Sequence, residues 1–133
     1  MPERSHQLAY PIVSYEDANA GIDWLKRAFG AKEIGVYRDD DGQVQHLELE
    51  IGGAIVMGGS RGVGELASKI EIGHPTSVYL VCSDPDALHA RASEAGAEMV
   101  IPLRDEDYGS RGFTARDPEG NLWSFGTYRP EVG

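Results

Sequence analysis

The chain has 133 residues, 41% hydrophobic and 26% charged, with 22 acids against 12 bases for a formal charge of −10. That length and composition fit one globular domain over residues 1–133, and the acidic balance excludes a nucleic-acid partner, whose phosphates need clustered Lys and Arg. The longest apolar runs, Ala54 to Met57 and Val78 to Cys82, fall far short of the roughly 20 residues of a membrane span. The first residues lack the apolar stretch of a signal peptide, and the single Cys82 has no partner, so the expectation is a cytoplasmic protein with no membrane partner.

Leu8 to Ser14 is a short apolar stretch with β-branched Ile12 and Val13, and it reads as a first strand. The period then changes, with Ile22, Leu25, Ala28 and Phe29 recurring at helical spacing and Trp24 beside them. Asp17 is placed to cap that helix, and Gly30 follows where it stops. Lys32 to Arg38 reads as a strand, Asp39 to Gly42 as a turn, and Gln43 to Ile51 as a second strand. Alternation puts Leu47, Leu49 and Ile51 on one face of it and His46, Glu48 and Glu50 on the other. Gly52-Gly53 predicts a two-residue hairpin turn into Ala54 to Gly58. Residues 60–76 are rich in glycine and charge and read as a linker, with a helical turn at Glu65 to Lys69.

The second half repeats the first. Val78 to Cys82 is a strand, Asp84-Pro85 opens a helix through Ala95, and Gly96 closes it. Ala97 to Leu103 and Gly112 to Arg116 are strands around a charged loop, and Asn121 to Tyr128 is the last strand after the turn Asp117-Pro118-Glu119-Gly120. In that turn Gly120 supplies a positive φ, and Asn121 is suited to the left-handed region leading out of it. Beyond it Trp123 and Phe125 share the core face.

The punctuation of the halves matches at an offset of 67 residues: Asp17 falls on Asp84, Gly42 on Gly109, Gly53 on Gly120 and Gly59 on Gly126. Each half is too small to bury its own apolar face, so the repeat predicts two βαβββ modules, 8–59 and 77–128, sharing a core. The fold class is α+β.

Tandem βαβββ units ending in Asp117-Pro118-Glu119-Gly120-Asn121-Leu122-Trp123-Ser124-Phe125, with Tyr108-Gly109-Ser110-Arg111 just upstream, resemble the vicinal oxygen chelate superfamily. Its members include glyoxalase, extradiol dioxygenases, fosfomycin-resistance transferases and bleomycin-resistance proteins. The resemblance covers nearly the whole chain. It implies curled mixed sheets with helices outside, a cavity bounded by the sheets, and a homodimer.

Metal-dependent members take their ligands from the first and last strands of each module. Carried onto this sequence, those places hold Tyr10, Met57, Ser77 and Ser124, and none is a His or a carboxylate. A catalytic divalent ion takes about three imidazole, carboxylate or thiolate ligands, so the expectation is no metal and no other cofactor. His46 and Glu48, two apart on one strand face, leave open a divalent metal at a non-standard site.

These readings predict a metal-free small-molecule-binding protein whose cavity is lined by Tyr10, Ile12, His46, Met57, Tyr79, Arg111, Leu122 and Ser124. Arg111 would anchor an anion or carbonyl there, or pair with Asp105, Glu106 or Asp107. The acidic surface fits sequestration of a cationic or amphipathic ligand such as an antibiotic. The alternative is an enzyme of lyase, isomerase or dioxygenase type, either with relocated metal ligands or with acid–base catalysis by Tyr10, His46 or Glu48.

Overall fold

The computed structural model describes residues 3–63 and 75–130. The first module runs β1 (Ile12–Tyr15), α1 (Ala18–Phe29), β2 (Lys32–Arg38), β3 (Val44–Ile51) and β4 (Ala54–Ser60). The second runs β5 (Ser77–Val81), α2 (Pro85–Glu94), β6 (Glu98–Asp105), β7 (Arg111–Arg116) and β8 (Leu122–Gly126). Each module forms its own four-stranded mixed sheet, in the order β1-β4-β3-β2 and β5-β8-β7-β6, hereafter sheets A and B. The outermost pair is parallel in both, because a helix carries the chain back over the sheet between the first strand and the hairpins. The expected helical turn at Glu65 to Lys69 lies outside the described residues.

α1 forms where the apolar period predicts it. The Asp17 carboxylate accepts from Ala20 N–H at the start, and Gly30 takes φ 70° at the end, where its N–H donates to the Lys26 carbonyl and the Ala31 N–H to the Leu25 carbonyl. Its buried face presents Ile22, Trp24, Leu25 and Phe29, each contributing about 1.5–3 kcal/mol of apolar burial. Phe29 lies 5.8 Å from Trp123 and 4.7 Å from Phe125, centroid to centroid, so an α1 side chain packs into the core of the second sheet. One apolar core therefore serves both modules.

The turn before β8 joins the modules. Asp117, 3% exposed, accepts at Oδ1 from the Glu119 and Asn121 N–H groups and at Oδ2 from the Tyr15 hydroxyl, Asn121 Nδ2 and Trp123 Nε1. Glu119 extends the join, its two carboxylate oxygens accepting from Glu16 N–H and Asp17 N–H at 2.7 and 3.0 Å. No described residue other than glycine has a positive φ, so Asn121 does not occupy the left-handed region expected of it. Its buried side chain bridges instead, with Oδ1 accepting from Thr76 N–H while Nδ2 donates to Asp117.

Candidate functional site

Each sheet turns one face to its helix and the core and leaves the other open. Cross-strand register makes the two open faces directly comparable. On sheet A, Ile12 pairs with Met57, Met57 with Glu48, and Glu48 with Gly35. On sheet B the matching row is Tyr79, Ser124, Thr114 and Ile101. One step along, Tyr37 pairs with His46 between β2 and β3 of sheet A, whereas on sheet B Arg104 of β6 pairs with Gly112 of β7, and Gly112 with Gly126 of β8. The difference lies on the third strand, where His46 covers the step on sheet A and Gly112, beside Gly126, leaves it bare on sheet B.

That bare step is the floor of a pocket of about 210 Å³. Tyr79, Ile101, Glu106 and Tyr108 wall it, and Ser110, Thr114 and Ser124 supply hydroxyls. Backbone crowding requires the glycine at 112, and side chains crowd the one at 126. A Cβ on Gly112 would stand 2.0 Å from the Phe125 carbonyl oxygen, and one on Gly126 would stand 2.7 Å from the Tyr79 hydroxyl. The Tyr79 hydroxyl donates to the Tyr128 carbonyl at 2.8 Å, while Ser110 Oγ accepts from the Tyr128 N–H at 3.2 Å. The last described segment is thereby held at the rim, where Tyr128 meets Tyr108 edge-on at 5.5 Å. Partial burial raises the Tyr79 phenol above its ordinary pKa, so it remains a neutral donor across the physiological range. The Ser124 and Thr114 hydroxyls bond to each other at 2.7 Å.

Of the residues the sequence singles out, the structure brings Tyr79 and Ser124 into this pocket. Leu122 lies on the same open face, half-buried, beyond the pocket lining. Ile12, His46 and Met57 lie together on the open face of sheet A, and Tyr10 sits half-buried just ahead of β1. His46 Nε2 and Glu48 Oε2 are 2.9 Å apart, and the Tyr37 ring stacks over His46 at 6.2 Å. Arg111 is turned away from the pocket into ion pairs with Asp86 of α2 at 2.8 Å and Asp105 at 3.3 Å. Pairing with Arg111 holds the Asp86 carboxyl below its usual range. Of the three acids offered to Arg111 by the sequence, Asp105 takes it. Asp86 arrives from a helix whose position only the fold determines.

Sequence reasoning missed Ile101, Glu106, Tyr108, Ser110, Gly112, Thr114 and Gly126 as pocket residues. The signal was present in part. Tyr108 and Ser110 belong to the Tyr-Gly-Ser-Arg stretch that carried the resemblance, and Gly126 is the repeat partner of Gly59. What the sequence does not display is the register setting Gly112 beside Gly126.

The residues present do not fit the metal site of the metal-dependent relatives. A phenol, a thioether and two hydroxyls occupy its four places, and the Ser124 hydroxyl is engaged by Thr114. His46 and Glu48 provide two suitable donors, and among the described residues no three His, Cys, Asp or Glu side chains converge on one point.

Residues 7–125 match the model of the Glyoxalase/Bleomycin resistance protein/Dioxygenase superfamily, and the chain belongs to that superfamily. It is 34% identical over 127 residues to an uncharacterized protein of Mycobacterium bovis, covering 92% of this chain and 84% of that one. Among solved structures it resembles TioX from Micromonospora sp. ML1, with 32% identity, a TM-score of 0.78, and coverage of 91% of this chain and 99% of TioX. The fosfomycin resistance protein FosX from Mesorhizobium loti shares the fold at 17% identity and a TM-score of 0.63, over 95% of each chain. No helix among the described residues is long and apolar enough to cross a membrane.

Proposed function

We propose that this protein binds and sequesters an amphipathic small molecule on the open face of sheet B, without a metal ion and without chemical turnover. The observation that carries this reading is the pocket itself, a glycine-floored recess walled by Tyr79, Tyr108 and Ile101, which are 46%, 64% and 37% exposed. Large apolar side chains left in water around a concavity are what a ligand or partner would cover. The donor set supports a metal-free mode, since neutral hydroxyls and a thioether bind divalent ions too weakly to hold them against water.

The recess of one chain is small beside the roughly 300–1,000 Å³ of most ligand sites. Ile12 and Tyr37, 51% and 60% exposed on sheet A, leave a second apolar face uncovered. A homodimer in which sheet A of one copy closes over sheet B of the other would bury both faces and enlarge the cavity.

The neutral fluorophore N-phenyl-1-naphthylamine tests the reading. Saturable enhancement that survives EDTA and is weakened by Tyr79→Ala supports it; enhancement that needs added Mn(II), Ni(II) or Zn(II), or is indifferent to Tyr79→Ala, contradicts it. The enzyme alternative rests on the His46–Glu48 pair, the one hydrogen-bonded imidazole–carboxylate pair on an open face among the described residues. It predicts turnover that His46→Ala abolishes.

A further inference from the structure

We infer that the sheet B pocket receives an organic ammonium group, a quaternary or tertiary amine borne on an apolar body. This names the ligand class of the binding site proposed above and rests on that reading.

The sign of charge comes first. Among the described residues Glu106 is the one charged side chain lining the pocket, and no Lys, Arg or His lines it. Its nearest cation, Arg104, donates from Nε to Oε1 at 2.7 Å but is itself 52% exposed, so their pairing is solvent-screened and weak. An anionic group entering the pocket meets a carboxylate whose one base, Arg104, does not line the pocket.

Hydrogen-bonding capacity comes second. The Tyr79 proton is committed to the Tyr128 carbonyl, and the bond between Ser124 and Thr114 uses one of their two protons, which leaves the other and the Ser110 proton as neutral donors. A carboxylate or phosphate would find only these neutral hydroxyls beside the Glu106 charge, whereas a quaternary ammonium asks for no donor. Tyr79 and Tyr108 supply aromatic rings beside the carboxylate, and Tyr128, edge-on to Tyr108 at 86°, extends the aromatic rim. Aromatic faces carry partial negative charge and attract alkylammonium groups, most strongly where water is partly excluded. Rings and one carboxylate together select a cation with an apolar shell.

Choline and its neutral isostere 3,3-dimethylbutan-1-ol separate charge from shape. Chemical-shift titrations of the full chain are expected to show choline binding on the order of tenfold tighter, with shifts at Tyr79 and Tyr108. Glu106→Gln and Tyr108→Leu should each shrink that ratio several-fold, while Tyr108→Phe, which keeps the ring, preserves it. Both positions are at the surface, and a backbone amide spectrum verifies that each variant is folded. Equal or tighter binding of the isostere, no choline-induced shift at the pocket, or a ratio unmoved by Glu106→Gln and Tyr108→Leu would overturn the inference. Binding of N-phenyl-1-naphthylamine would persist in those cases, leaving the metal-free pocket standing and removing only its preference for a cation.

Discussion

Tyr15 and Asp117 lie 102 residues apart in sequence and 2.7 Å apart in the fold, joined by a buried hydrogen bond from the phenol to the carboxylate. The bond has no counterpart at the related place. The repeat that sets Tyr15 in the first module puts Cys82 in the second, and it puts Glu50 where Asp117 would be. The modules are alike in strand order and unlike at the point that fastens them together.

Removing that bond should loosen the join without unmaking either sheet. Tyr15→Phe is expected to lower unfolding free energy by about 1.5–3 kcal/mol, the range for a hydrogen bond to a charged acceptor. Asp117→Asn should be worse, since an amide nitrogen cannot accept from Tyr15, Asn121 or Trp123 at Oδ2. Urea denaturation of the two variants gives both values.

The same bond predicts an alkaline limit. Burial, reinforced by the Asp117 charge, raises the Tyr15 phenol well above its ordinary pKa. Folding thus favours the protonated phenol, a contribution fully present below the unfolded value near 10 and lost as pH rises past it. By pH 11 the wild type should have lost on the order of 1 kcal/mol from this group alone. Denaturation midpoints of Tyr15→Phe should fall less steeply over that interval; parallel slopes would contradict the assignment.

The two glycines of the pocket floor should behave differently when given a side chain. At Gly112 the new methyl would collide with backbone at 2.0 Å, so Gly112→Ala is expected to destabilise by about 1–3 kcal/mol or more. At Gly126 the nearest obstacle is the Tyr79 hydroxyl at 2.7 Å, a side chain able to shift. Gly126→Ala should therefore weaken fluorophore binding more than it lowers the melting temperature. Thermal melts beside binding isotherms separate the two.

Arg111 provides a negative control. It is committed to Asp86 and Asp105 and points away from the pocket, so Arg111→Ala should leave fluorophore affinity unchanged within about twofold. A larger loss would mean that the guanidinium contacts the ligand after all.

The fold was legible because it is written twice. Glycine offsets, the Asp17 and Asp84 caps and the alternation around Leu47 each describe local structure, and the repeat multiplies their weight. Gly52 and Gly53 both adopt the positive φ their hairpin demands. The boundary of β4 was less legible, since Gly59 and Ser60 look like linker, yet Ser60 ends the strand buried, its hydroxyl accepting from Val44 N–H. The site was the least legible part. Tyr79 and Ser124 could be named because strand alternation sets a face. The Gly112–Gly126 pairing and the capture of Arg111 by Asp86 depend on inter-strand register and helix placement, which no local pattern records.

Light scattering should report twice the 14.4 kDa chain mass at micromolar concentration if a second copy covers the open faces. A monomer would leave Tyr37 and Ile12 in water and return the pocket to the dimensions of one chain.

The most direct test of a metal-free binding site is the metal content of the chain purified without chelators, read by plasma mass spectrometry on protein that binds N-phenyl-1-naphthylamine. The account predicts Mn, Fe, Ni and Zn each far below stoichiometric. About one ion of any of them per chain, lost together with ligand binding on His46→Ala or Glu48→Gln, would contradict it.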